Sequence, residues 1–252
     1  MSNLYWLSEE QMARLLPYFP KSHGVPRVDD RRVLGRIMFL NRKVFRWCDA
    51  PKEYEPAKTL YNRWKRWSDM GVFARMTTGL AAEAPDKKTI SIDATYLKAH
   101  RTASSLRLKE GGGGRLIGRR KGGIKTKLLA VTDVKGRPIR FFTTPGQVSD
   151  YTGARAVAGS LPSADRLPDD RSYDANWFRE ALIDQGIRPC IPGWKPRDKP
   201  VKHDKRRYKR RNRIGIMLGR LKDWRRISTR YGHCPKVFLS AIALAATVLF
   251  WL

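Results

Sequence analysis

The chain has 252 residues, with 52 Lys or Arg against 23 Asp or Glu, a formal charge of +29, and 41% hydrophobic residues. That apolar share can bury a core, which excludes a disordered polyelectrolyte, while the charge repels itself unless a polyanion compensates, so nucleic acid is the expected partner. Cys48, Cys190 and Cys234 are odd in number and lack any C-x2-C pair, which argues against a disulfide framework or a zinc site and fits a reducing cytoplasm. No apolar leader with a cleavage site follows Met1, so secretion is not expected.

Ser8 and Gln11 form a Ser-x-x-Gln capping box that opens a helix ending near Pro17. After Asp29 and Asp30, the apolar positions Val33, Ile37, Leu40, Val44 and Trp47 recur at helical spacing. Arg31, Arg32, Arg36, Arg42 and Lys43 mostly take the other faces, which predicts an amphipathic helix with a basic exterior. A third helix over 57–70 turns Leu60, Trp64 and Trp67 inward. Three short basic helices are compatible with a helix-turn-helix reader whose last helix presents Asn62, Arg63 and Arg66 to the major groove. The charge of the whole chain favours that reading over a plain bundle with solvated arginines. Periodicity fades over 81–88 around Pro85, which predicts a helical domain over 1–85 and a second domain over 86–252.

From Thr89 the pattern is that of strands. Ile90 and Ile92 alternate with polar neighbours, a second strand covers KLLAVTDV and a third Pro138 to Thr143, with a tight turn at Lys135-Gly136 between the last two. A short helix runs from Asp150 to Ala158, a brief strand leads into Asp170, a helix NWFREALIDQ is closed by Gly186, and a strand IRPCI precedes a long basic helix over Lys202–Arg226. This is a mixed α/β order, that of a ribonuclease-H-like sheet flanked by helices. The segment 109–123, rich in Gly and Arg, has no G-x4-G-K-[ST] phosphate loop and reads as a mobile basic loop near a DNA backbone. The apolar tail Val237–Leu252 has 16 residues, short of the ~20 that span a bilayer, and reads as a buried terminal helix, so no membrane partner is expected.

Cutting a phosphodiester calls for hard divalent ions on carboxylate oxygens. Asp93 in the first strand and Asp170 after the fourth would meet if those strands are neighbours. The segments SIDATYLKAHR, GRLIGRRKGG, TKLLAVTD, PGQVSD, DRSYDANWF and RRYKRRNRIGIMLGRLKDWRRISTRY, together with the helical start, resemble the DDE transposases of bacterial insertion sequences, the group named for insertion sequence five. The resemblance covers nearly the whole chain. It implies that Asp93 and Asp170 are the first two members of a metal-binding triad for Mg2+ or Mn2+, Asp170 being favoured over Asp169 by the pattern D-R-x-Y-D. It also implies a first domain that reads terminal inverted repeats, cleavage of DNA ends by metal-activated water, and attack of the freed 3′-hydroxyl on target DNA. Dimers or larger assemblies on double-stranded DNA, in a bacterial cytoplasm and at the nucleoid, come with it.

The same resemblance assigns DNA contacts beside the metal to Tyr208, Arg211 and Lys222, in the spacing Y-x2-R-x3-E-x6-K. The glutamate position of that spacing is Gly215, and no glutamate follows Glu180. Asp223 lies eight residues on, roughly 12 Å further along a helix. Two aspartates alone should hold metal weakly and cut slowly, and the alternative expectation is a catalytically inert DNA-binding protein of transposase descent. Seven Lys or Arg among residues 202–211 are too dense for a merely solvated face. Trp224 reads more as core than as a base-stacking ring, and His100 as a structural group.

Overall fold

The structure, a computed structural model, describes residues 5–21, 29–43, 46–49, 57–84, 88–105, 114–193, 201 and 204–252. Val44, Pro85, residues 109–113 and Lys202, to which the sequence assigns a helix, a boundary, a loop and a helix start, lie outside the described residues.

The first helix, α1 (Glu9–Leu15), starts at the expected capping box: Gln11 N donates to Ser8 Oγ (3.1 Å) and Ser8 N to Gln11 Oε1 (3.0 Å). In α2 (Asp30–Lys43) Val33, Ile37 and Leu40 are buried as their spacing predicts, but the basic exterior is interrupted. Arg36 is 2% exposed and donates to the Trp47 carbonyl (3.1 Å), because α2 is covered from several sides by other helices. Helix α3 (Ala57–Asp69) buries Leu60, Trp64 and Trp67. A further helix the sequence did not resolve, α4 (Val72–Ala82), follows after Gly71, whose φ of +67° makes the sharp turn.

Helix α4 is apolar because it faces the C-terminal helix α11 (Pro235–Phe250) and not solvent. Thr77 Oγ1 lies 3.0 Å from both the Ala243 carbonyl and Thr247 Oγ1. Every residue from Ser240 to Thr247 is buried, so α11 is the interior helix expected of the tail. No helix among the described residues is long and apolar enough to cross a membrane. The helical N-terminal part and the α/β part share one continuous apolar core.

The sheet has β1 (Ile90–Ala99) at its centre, antiparallel to β3 (Gly123–Asp133), which pairs in turn with β4 (Pro138–Pro145) and, at its start, with β2 (Gly118–Arg120). The segment 118–123 is therefore a hairpin and not a loop. A second, two-stranded parallel sheet, β5 (Arg166–Pro168) with β6 (Arg188–Cys190), joins β1 through the bridge Thr89–Arg166, and Lys88 O accepts from Asp165 N and Arg166 N. The resulting order β4-β3-β1-β5-β6 is ribonuclease-H-like. Helices α6 (Asp150–Ala158) and α7 (Asn176–Asp184) flank it; α6 is capped by Ser149, which leaves Asp150 free for another use.

The expected long basic helix is broken into α8 (Lys205–Lys209), α9 (Asn212–Lys222) and α10 (Arg225–Ser228), with β7 (Thr229–Arg230) closing against the far end of β1; a four-residue α5 (Arg101–Ser104) precedes β2. The break follows burial: Ile214, Met217, Leu218 and Leu221 set α9 against the core, whereas α8 carries only charge and Tyr208. The turn at Lys135-Gly136 fixes where α9 begins. Asp133 accepts from Lys135 N, Arg137 N and Arg137 Nε (2.9, 2.8 and 2.7 Å), Gly136 has φ +81°, and Arg213 Nη1 donates to Val134 O (2.8 Å). A Cβ on Gly136 would stand 2.9 Å from Arg213 Cβ and 3.0 Å from its carbonyl oxygen. Gly136→Ala is expected to lower stability by about 1–3 kcal/mol through the positive φ and the pressure on α9, read as an earlier midpoint in urea with an unchanged slope.

Candidate active site

Asp93 sits in the middle of β1, past the point where β5 leaves it, so the strand edge beside it is open. Counting along the two parallel strands from the Thr89–Arg166 bridge, the fourth residue is Asp93 on one and Asp170 on the other. Asp170 caps a 3-10 turn over Arg171–Tyr173: its Oδ1 accepts from Ser172 N (2.8 Å) and from the Ser172 hydroxyl, which leaves Oδ2 facing the gap. Asp93 Oδ1 accepts from Ala94 N (2.8 Å), which likewise leaves Oδ2 free.

Both free oxygens converge on Arg211, in the turn between α8 and α9. Its Nη2 donates to Asp170 Oδ2 (3.0 Å) and stands 3.7 Å from Asp93 Oδ2, and its Nε is 3.7 Å from Asp169 Oδ1. Asp169 is the buried member: its Oδ1 accepts from Asp170 N (2.9 Å), and its Oδ2 has no hydrogen-bond partner. One guanidinium thus serves three carboxylates. Burial raises the Asp93 carboxyl, opposed by the Ala94 N–H and by Arg211, and burial drives Asp169 well above the usual carboxylate range. Burial works against the charge on Arg211, but Asp169, Asp170 and Asp93 outweigh it and raise its pKa.

Lys222, at the other end of α9, donates to Thr95 Oγ1 (2.6 Å), two residues along β1 from Asp93; burial lowers its pKa and Asp93 opposes that. Arg211, Gly215 and Lys222 fall on one stripe of α9, four and seven residues apart. Gly215 is exposed, and a Cβ built on it meets nothing within 4 Å. Asp223 is the exposed C-cap of α9 and stays away from the site. Tyr208 lies on α8, half-buried, with its carbonyl accepting from Arg211 N (3.0 Å). Trp224 is in the core, and His100 caps α5 through Thr102 N.

In the helical part, Arg63 pairs with Asp30 and stands 5.8 Å over the Trp67 ring, while Asn62 and Arg66 are exposed. Sequence reasoning missed Thr95 and the pair Asp150–Lys127 (2.7 Å), and it set the buried Asp169 aside in favour of Asp170. Lys127 carried a signal, as a lysine among KLLAV residues that the strand must bury.

The donor set is oxygen only. Asp93 and Asp170 each turn one carboxylate oxygen toward the Arg211 guanidinium, so a hard divalent cation would take the place that Arg211 holds between them. Among the described residues no group of three or more His, Cys, Asp or Glu is arranged to hold a metal ion.

Residues 7–77 match a family model described as a putative transposase of the IS4/5 family, and residues 167–252 match a transposase DDE domain. A putative transposase for insertion sequence element IS6501 of Brucella ovis is 32% identical over 129 residues, 50% of this chain and 98% of that protein. An uncharacterized protein, y4sN, of Sinorhizobium fredii is 32% identical over 109 residues, 42% of this chain and 86% of its own length. The piggyBac transposase, solved as a synaptic complex with hairpin DNA, superposes with a TM-score of 0.52 at 8% identity, over 94% of this chain and 69% of that one, a likeness of fold.

Arg211→Gln leaves three carboxylates without their shared cation. The expected loss at neutral pH is on the order of 3 kcal/mol, the low end for removing a buried partner because the guanidinium is a fifth exposed. A carboxyl raised in the folded state favours folding below its unfolded pKa and loses that advantage as pH rises through the folded one. The gap between variant and wild type should therefore be smallest near pH ~4 and widen toward neutrality, measured by denaturant melts across that range.

Proposed function

Because the chain belongs to the IS4/5 family of insertion-sequence transposases, we propose that it binds the terminal inverted repeats of its element and, at Asp93 and Asp170, cleaves and joins DNA with Mg2+ or Mn2+. The observation that carries this reading is the convergence of Asp93 Oδ2 and Asp170 Oδ2 on one point at an open strand edge. Asp93 and Asp170 would hold the ion. When bound, a hard divalent ion there supplies charge neutralisation to a phosphate and acidity to a water molecule.

The rest is the work of the chain's own side chains. Arg211 and Lys222, at the two ends of one stripe of α9, are spaced to take phosphate oxygens on either side of the carboxylates, and Tyr208 flanks Arg211. Arg66 and Asn62, exposed on α3, are the side chains of that helix offered to a groove, with Arg63 held by Asp30 as their neighbour. Joining two ends requires two copies on DNA, in the cytoplasm where the nucleoid lies.

A second reading is favoured by one observation. On the stripe between Arg211 and Lys222 stands a glycine with open space around it, and the third carboxylate at Arg211, Asp169, is fully buried and not on that stripe. In that reading the chain occupies the element's ends without cutting them.

The test compares metal-dependent cleavage of an end-bearing duplex by this protein and its Gly215→Glu variant, with DNA binding measured for both. The variant should fold at least as well, since glycine inside a helix costs about 1 kcal/mol and the new side chain meets no obstacle. Cleavage faster in the variant by on the order of 10²–10³-fold establishes the inert reading for the present chain. Equal cleavage by both means another acid completes the site. Failure of both to cleave while binding DNA sinks Asp93 and Asp170 as the cutting pair.

A further inference from the structure

Tyr96, three residues after Asp93 on β1, is surrounded by cations. Arg120 Cζ stands 4.9 Å, Lys127 Nζ 5.2 Å and Lys125 Nζ 5.7 Å from its ring centroid, and Arg120 also donates to its hydroxyl. Lys127 is buried and neutralised, by Asp150 Oδ1 at 2.7 Å and the Val148 carbonyl at 2.6 Å. The others have no such compensation. Among the described residues no carboxylate pairs with Arg119, Arg120, Lys121 or Lys125, all within one hairpin.

Like charges gathered on one aromatic ring separate in water unless the backbone holds them, and here it does. A Cβ at Gly118 would overlap the Gln147 side chain, one at Gly146 would come 2.7 Å from the Lys125 carbonyl, and Gly146 N donates to that carbonyl (3.2 Å). Thr126 Oγ1 donates to Leu116 O (2.8 Å), and the turn depends on Gly122 and Gly123 at φ +90° and +103°. The β2–β3 hairpin is thus a fixed ribbon with its cations already placed. Because the cations lie over Tyr96, its face is closed to a stacking base, so the ligand that fits is a phosphate backbone read without regard to sequence.

We infer that the β2–β3 hairpin is a second phosphate clamp, with Arg120 and Lys125 as its gripping side chains and Tyr96 as their support. It holds the duplex whose cleavage point lies at Asp93 and Asp170. Tyr96 lies three residues along β1 from Asp93, about 10 Å, and the pleat turns the two side chains to opposite faces of the strand, so the clamp would grip phosphates away from the cleavage point. The clamp rests on the proposal that the chain acts on DNA.

The experiment measures binding of the full chain to an end-bearing duplex and to an unrelated one across a salt series, for the wild type and an Arg120→Gln/Lys125→Gln variant. Losing two phosphate contacts should flatten the log-log salt slope by about 1.8, with the same fold loss of affinity on both duplexes. Methylphosphonates scanned along the duplex on both sides of the cleavage point should weaken the wild type at a short run of positions away from that point and leave the variant unaffected there. A Tyr96→Phe variant, which keeps the ring, should bind within about twofold of wild type. An unchanged slope in the double variant, or methylphosphonates that weaken both proteins alike, overturns the clamp while the transposase reading stands. A wild type that binds neither duplex in a salt-dependent way overturns both.

Discussion

Strands β1 and β5 run parallel from the Thr89–Arg166 bridge and then part, leaving carboxylates on both sides of an open edge. Three acidic groups in so small a space repel one another by several kcal/mol at the dielectric of a half-buried site. Arg211 resolves this, and its position is set from elsewhere. The turn at Gly136 presses on Arg213 and fixes the start of α9, and the buried stripe Ile214, Met217, Leu218 and Leu221 fixes its rotation. Lys222 then fastens the far end to Thr95. Helix α9 is therefore clipped along β1 at both ends by cations, and the geometry of the site depends on a hairpin turn well removed from it in sequence.

A chain so rich in cations must also dispose of those it buries. Arg230 is fully buried with no carboxylate partner among the described residues; it donates to the carbonyls of Gly232 and His233 and to Thr126 Oγ1, and its guanidinium lies 5.1 Å from the Phe238 ring centroid. Burial pulls its pKa down to about 10. Its bond to Thr126 ties β7 to β3, the strand that also carries Lys127 and the basic hairpin. Buried cations hold the strands in register, while on the surface some cations are paired, as Arg14 is with Glu83 and Lys65 with Asp69, and those of the β2–β3 hairpin have no carboxylate partner among the described residues.

What the sequence made legible was whatever has a phase or a local partner. The capping box of Ser8 and Gln11, the glycine of the Lys135-Gly136 turn and the apolar run of α11 each announce themselves within a few residues. Asp93 and Asp170 were singled out as a pair on two strands and by the resemblance, since an aspartate in or beside one strand is by itself unremarkable, and the structure turns both toward Arg211. Arg36 was misread because periodicity marks the most apolar face of a helix, not whether neighbours cover the others. The run over 202–226 looked like one helix because Arg and Lys carry no hydrophobic phase to mark a break. Strands as short as β2 and β7 exist only through pairing with β3 and β1, and nothing in three residues declares it. Arg211's service to three carboxylates depends on strands brought together over more than a hundred residues.

Position 215 shows how far folding and chemistry come apart in this architecture. Helix α9 is held by its buried face and by the cations at its two ends, and none of these contacts passes through Gly215. A glycine there weakens the helix by about 1 kcal/mol, a loss the buried face can absorb. Position 215, on the stripe of Arg211 and Lys222, is thus nearly invisible to stability, whereas the metal chemistry proposed for Asp93 and Asp170 would depend on it heavily. Of the charges proposed to grip phosphate, those of the β2–β3 hairpin and Arg211 lie outside α9, and Lys222 lies at its far end. On that proposal, a change at 215 alters what can be done to a bound DNA strand and leaves those charges in place.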